Sequence, residues 1–135
     1  MVKVGDTVKV ERVFTNEEVL QFAEISQDKG IHHLVEDDQG RLVVHGLLTG
    51  TLPTEIGGKF NLMANKINFH FTRPVYTGDL ISCTGTIEKY EQIKEGRMDT
   101  QGTFICENQD GTVVLTGEFS GVVFDRKKNY LLVSD

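Results

Sequence analysis

The chain has 135 residues, enough for one well-formed core and too few for two. Its 14 Lys and Arg against 20 Asp and Glu leave a net charge of −6, and no basic run interrupts the body of the chain, so nucleic acid is not an expected partner. No window reaches the ~18 apolar residues of a membrane span, and Met1-Val2-Lys3-Val4-Gly5-Asp6 has no apolar leader, so no membrane partner is expected either.

Val8 to Phe14 reads as a first strand, rich in β-branched residues with partial alternation. It stops at Thr15-Asn16-Glu17-Glu18, where Thr15 as N-cap and Glu18 three residues on form a capping box. Val19, Phe22, Ala23 and Ser26 then repeat at helical spacing, and the helix is expected to end near Ser26-Gln27. That places Asp28 at or just past its C-terminus, with His32 and His33 on a loop. Leu34 to Arg41 is polar and loop-like.

Leu42 to Thr54 is the longest segment free of Lys, Arg, Asp and Glu. Leu47, Leu48, Leu52 and Ile56 give it helical spacing, and Thr49, Gly50 and Thr51 keep the other faces small. A helix without charge around its circumference is normally enclosed by protein, here by a curved sheet. Pro53 removes a backbone donor and crowds the Thr49 carbonyl, so a kink is expected there, and Gly57-Gly58 is expected to stop the helix.

Beyond Ala64 the period changes to two, with Ile67, Phe69 and Phe71 alternating with Asn68, His70 and Thr72. A turn-rich connector, Arg73 to Asp79, leads to strand-like runs at Leu80–Glu91, Arg97–Glu107 and Thr112–Phe124. Lys94-Glu95-Gly96 and Asn108 to Gly111 are hairpin signals. Cys83 and Cys106 fall within these strands and share no metal-ligand spacing, which reads as two buried thiols in a reducing cytoplasm. Residues 1–125 are expected to form one domain. Residues 126–135 form a charged tail, with the basic cluster Arg126-Lys127-Lys128 and an apolar end, Tyr130 to Val133, fit to dock. Helices and strands are segregated, so the class is α+β. One sheet cannot cover both ends of such a helix, so a homodimer is expected.

Asp28 and His33 stand five residues apart on one loop and can converge on a small site. A carboxylate beside an imidazole is usual equipment for moving protons, since an unperturbed histidine titrates near pH 6.5. Spacing alone leaves open that Asp28 caps a turn and His33 lies on the surface. His32-His33 with Asp37-Asp38 does not read as a metal site, because adjacent side chains of an extended loop point apart. His45-Gly46 opens the apolar helix, where free N–H groups favour developing negative charge and a glycine permits close approach. Tight packing of the helix start accounts for Gly46 equally well. His70 alternates with strand aromatics and faces outward or toward a partner. No nucleophile elbow, phosphate-binding glycine loop or dinucleotide fingerprint is present, and no cofactor is expected.

Several stretches together carry a resemblance. They are Val4-Gly5-Asp6, Phe14-Thr15-Asn16-Glu17-Glu18-Val19, Phe22 to Asp28, His45-Gly46-Leu47-Leu48 and Phe71-Thr72-Arg73-Pro74-Val75-Tyr76-Thr77-Gly78-Asp79. In order and spacing the chain resembles the MaoC-like dehydratases of the hot-dog superfamily, which include the (R)-specific enoyl-CoA hydratases. The resemblance implies an antiparallel sheet wrapped around a long central helix. It also implies that Asp28 and His33 match the Asp and His of the family signature D-x-N-P-x-H. Gly30 and Ile31 stand where Asn and Pro usually occur, and the His33–His45 connection is shorter than usual.

By the same resemblance the dyad activates water added across a trans-2-enoyl thioester, on CoA or an acyl carrier protein. The Gly46 N–H helps hold the thioester oxygen, His45 and Leu47 belong to the substrate site, and Thr54 supports it. The shorter connection, with Leu47 and Leu48 near the mouth, implies short acyl chains. The expected function is an (R)-specific hydratase, or 3-hydroxyacyl thioester dehydratase. The alternatives are a thioesterase on the same fold and a non-catalytic acyl-thioester-binding module.

Overall fold

The computed structural model describes residues 2–124. The expected tail, with its basic cluster and apolar end, lies outside the described residues. Strand β1 (Thr7–Val13) leads into α1 (Asn16–Ser26), and the capping box forms as the sequence dictates. The Thr15 hydroxyl accepts from the Glu18 N–H at 3.1 Å, and the Glu18 carboxylate accepts from the Thr15 N–H at 2.9 Å. Val19 and Ala23 are the buried stripe of α1. The helix ends at Gln27, whose left-handed φ of 62° turns the chain away.

His32 and His33 are not on an irregular loop. They sit in a single helical turn, α2 (Ile31–Leu34), closed by a bond from Val35 N–H to the Ile31 carbonyl. After a polar loop, residues 42–44 run beside residues 75–77: the Val44 N–H donates to Val75 and the Thr77 N–H to Leu42. This short pairing anchors the entry to the central helix.

The central helix comes in two pieces, α3 (Gly46–Thr49) and α4 (Thr51–Lys59). The interruption precedes Pro53 by one turn, because the missing Pro53 N–H would have met the Thr49 carbonyl. Pro53 thereby falls in the first turn of α4, where no donor is needed. Gly57 and Gly58 do not stop the helix. It passes through them to Lys59, and Asn61, with a left-handed φ of 57°, turns the chain.

Strands β2 (Leu62–Phe71), β3 (Leu80–Lys94), β4 (Arg97–Glu107) and β5 (Val113–Phe124) complete one antiparallel sheet in the order β1-β3-β4-β5-β2. The last three strands pair in succession through the two expected hairpins, while β1 and β2 take opposite edges. Helix α4 packs against both edge strands as well as β3, so the sheet curls around it. Ile56 reaches the sheet at Gly85, where an added Cβ would lie 3.0 Å from its Cγ2. Aromatic rings of β2 fill the other small positions, Phe71 against Gly46 and Phe69 against Gly50. Arg12 of β1 ties the sheet to α4 through the Thr51 hydroxyl at 3.0 Å and Glu55 at 2.6 Å.

The helix is not enclosed on all sides in the single chain. Thr49, Leu52 and Ile56 are buried, but Leu47 is 59% exposed and Thr54 faces solvent. Cys83 and Cys106 are free, buried and directly opposite each other on β3 and β4. Their mutual hydrogen bond and their burial push the Cys106 thiol far above its ordinary range.

Candidate active site

Four backbone or side-chain bonds around α2 build the site. The Asp28 N–H donates to the Ser26 hydroxyl at 3.0 Å, and Asp28 Oδ1 accepts from the Gly30 N–H at 3.2 Å, a turn closed by the side chain itself. The His33 N–H donates to the Gly30 carbonyl, and the Val43 N–H donates to the His32 carbonyl. The turn that follows Asp28 therefore forms with Gly30 and Ile31, where the resemblance leads one to expect Asn and Pro. Gly30 is its N-cap, and the spacing from Asp28 to His33 is held by the backbone.

His33 is buried, at 4% exposure, while the Asp28 carboxylate is more than half exposed. His33 Nδ1 lies 2.7 Å from the Val43 carbonyl oxygen, which can only accept, so Nδ1 carries a proton. The exchangeable nitrogen is then Nε2, 3.5 Å from Asp28 Oδ2. That separation is long for a strong hydrogen bond, and catalytic pairs often stand so until substrate closes them.

His45 has a place that the sequence does not disclose. It is 2% exposed, and its Nε2 lies 2.9 Å from the Asp28 carbonyl oxygen, so Nε2 is the donor. Its ring stacks on His33 at 3.7 Å between centroids and 14° between planes. His32 lies against His33 at 3.9 Å between centroids with its plane tilted by 48°, and Phe22 meets His45 edge-on. His33 thus touches two imidazoles, and His45 is the strut that links the central helix to the backbone of Asp28.

Asp28, His33 and His45 bring one ligand-type atom each within 4.8 Å of one another. Rings stacked at 14° hold their in-plane lone pairs side by side, whereas a metal needs them to converge. The arrangement suits proton handling better than chelation.

These residues border a cavity of about 670 Å³, within the range of small-molecule sites. Ser26, His32, Thr72 and Arg73 stand at its exposed rim, and Val44, Thr49, Val75 and Val114 form its buried wall. Gly46 and Leu47 also line it, and neither of their N–H groups donates to an acceptor among the described residues. The space above Gly46 is shared with the Phe71 ring, which a Cβ there would meet at 2.8 Å.

Thr54 does not join the site. Its hydroxyl donates to the Gly50 carbonyl at 3.0 Å, two turns along, and it borders a separate hollow with Pro53, Gly57 and Ile67. Thr49 and Phe22 do join it, unnoticed in the sequence. The available signal for Thr49 was its helical spacing of four from His45.

No family model matches the chain. In sequence it is similar to the mitochondrial 3-hydroxyacyl-[acyl-carrier-protein] dehydratase of Arabidopsis thaliana, 27% identical over 130 residues and covering 91% of this chain and 78% of that protein. In structure it is similar to the (R)-hydratase from A. caviae involved in PHA biosynthesis, with a TM-score of 0.78, 23% identity and coverage of 91% and 97% of the two chains. The MaoC-like dehydratase from Rhodospirillum rubrum follows at a TM-score of 0.74, 19% identity and coverage of 93% and 94%. No helix among the described residues is long and apolar enough to cross a membrane. In fold the chain is a hot-dog domain, and along its length it resembles the MaoC-like hydratases and dehydratases.

Proposed function

We propose that the chain is a hydro-lyase that adds water across a trans-2-enoyl thioester to give the (R)-3-hydroxyacyl thioester, and runs the reverse dehydration. The observation that carries this reading is the meeting of His33 Nε2 and Asp28 Oδ2 at the edge of the cavity, with His33 Nδ1 already committed to Val43. One proton can then pass through one nitrogen only. The similarity to a 3-hydroxyacyl dehydratase and to (R)-hydratases supports the same chemistry.

In the hydration direction the deprotonated member of the pair takes a proton from water as its oxygen bonds to Cβ. The electron pair of the double bond moves toward the thioester carbonyl. The protonated member then delivers its proton to Cα, so one water is consumed and the pair ends with the proton count it began with. Charge developing on the thioester oxygen falls to the free Gly46 N–H, with Leu47 bordering the same cavity. His45 fixes the Asp28 backbone and the plane of His33. Thr54 has no part in this mechanism.

The carrier is CoA or an acyl carrier protein, and the working form is a homodimer of single-domain chains, residues 1–125 forming the domain. An exposed ten-residue edge, β2, with Met63, Ile67 and Phe71 open to solvent, supports the dimer. The direct test is purified protein with crotonyl-CoA and hexenoyl-CoA, following loss of the conjugated thioester absorbance. Chiral analysis should find the (R) product. Mainly (S) product would reject the mechanism, and thiol release from saturated acyl-CoA would favour a thioesterase.

A further inference from the structure

Gly30 opens α2 with φ −55° and ψ 143°, an extended backbone that any residue adopts. Its conformation does not call for glycine, but its surroundings do. A Cβ added at Gly30 would lie 2.9 Å from His32 Cε1 and 3.3 Å from His32 Nδ1, with Asp28 Oδ1 at 3.5 Å. The His32 ring therefore folds back into the room that a side chain at residue 30 would fill, beside the Asp28 carboxylate.

The same ring borders the cavity and lies against His33, 3.9 Å between centroids. His33 is tied through Nδ1 to the Val43 carbonyl, a bond that fixes one atom and leaves the ring free to pivot about it. Such a pivot changes the 3.5 Å separation between Nε2 and Asp28 Oδ2. His45 stacks on that ring from the entry to α3, and His32 touches it from within α2. What the His32 ring supplies there is a flat surface.

We propose that His32 is a positioning residue for the Asp28–His33 pair. Its ring takes the room that Gly30 leaves and, in contact with His33, limits the pivot that would carry Nε2 away from Asp28. This rests on the reading of the pair as the acid and base of a hydratase and adds a third residue of the same turn to it.

With crotonyl-CoA, His32→Ala should lower kcat about tenfold and leave KM within about twofold, since it removes orientation and not substrate binding. His32→Phe, which keeps a flat ring, should retain most of kcat. Gly30→Ala displaces the ring, so it should lower kcat in the wild-type background and cost nothing more in the His32→Ala background. Independently of turnover, solvent exchange of the His33 Nδ1–H can be followed by NMR on protein labelled with ¹⁵N in histidine. It should be about tenfold faster in His32→Ala and near the wild-type rate in His32→Phe. An unchanged kcat in His32→Ala overturns the inference, and so does a rise in KM alone, which would make His32 a substrate contact. It is overturned equally if His32→Phe fails as His32→Ala does, or if Gly30→Ala costs as much in both backgrounds. A wild-type protein that leaves crotonyl-CoA untouched but shows the exchange pattern keeps the positioning and loses the hydratase reading. Equal exchange in all three proteins then overturns both.

Discussion

Asp28 and His33 share one water in the proposed reaction, and that makes their removal non-additive. Asp28→Asn keeps the shape and the turn to Gly30 while removing the charge, and His33→Ala removes the nitrogen that faces it. Each should lower turnover by about 10²–10⁴-fold with the fold intact by circular dichroism. The double variant should be little worse than the worse single. Acyl-CoA binding should persist in all three, because the Gly46 and valine surfaces remain. If both single variants keep more than about a tenth of wild-type turnover, the pair is structural and the binding-module reading gains. At this scale sequence reasoning reached Asp28, His33 and the helix start. It could not reach His45's place under His33, because ring stacking joins residues twelve apart through the path of the loop between them.

Helix α1 leads to Asp28, and its N-terminal cap lies three turns away, far enough to act on the stability of the helix and not on the site. Thr15→Ala removes the acceptor of the Glu18 N–H and should cost roughly 1 kcal/mol. In a domain of this size that is a fall of roughly 3–5 °C in Tm, with kcat nearly unchanged at 25 °C. A loss of activity without loss of Tm would mean that the cap acts on the site rather than on the helix. The central helix teaches a related point. Pro53 was legible as a disturbance, but its effect appears at the carbonyl it fails to bond, one turn earlier. Gly57 and Gly58 looked like a stop. With helical backbone available to glycine, packing of Ile56 on Gly85 carries the helix past them.

The whole molecule protects its two thiols. Cys83 and Cys106 face each other beneath the central helix, each fully buried, and Cys106 stays protonated far above its ordinary range. Native protein should therefore resist alkylation by iodoacetamide at pH 8, and both thiols should label once denaturant unfolds the sheet. Fast labelling of the native state would show that the β3–β4 pairing opens locally. Association belongs to the same scale. The open β2 edge and the uncovered face of the helix predict a homodimer, and a scattering mass of one 15.1 kDa chain at micromolar concentration would contradict it.

Local chemistry alone determined the elements that it controls: the capped first helix, the central helix with its charge-free first half, and three long strands whose ends are marked by turn residues. The α+β class follows from their order. The sheet order was not accessible, because Ile67 to Phe71 alternates in the same way whether it pairs with the next strand or the last. Only the curl of the sheet around α4 carries β2 to the β5 edge. The site divides along the same line. The five-residue spacing from Asp28 to His33 is local and legible, since one turn of backbone brings the pair together. The burial of His45 and Thr49, and the exposure of Thr54 on the same helix, depend on which side of the helix the sheet covers. That is a decision of packing, made by groups far apart in the chain.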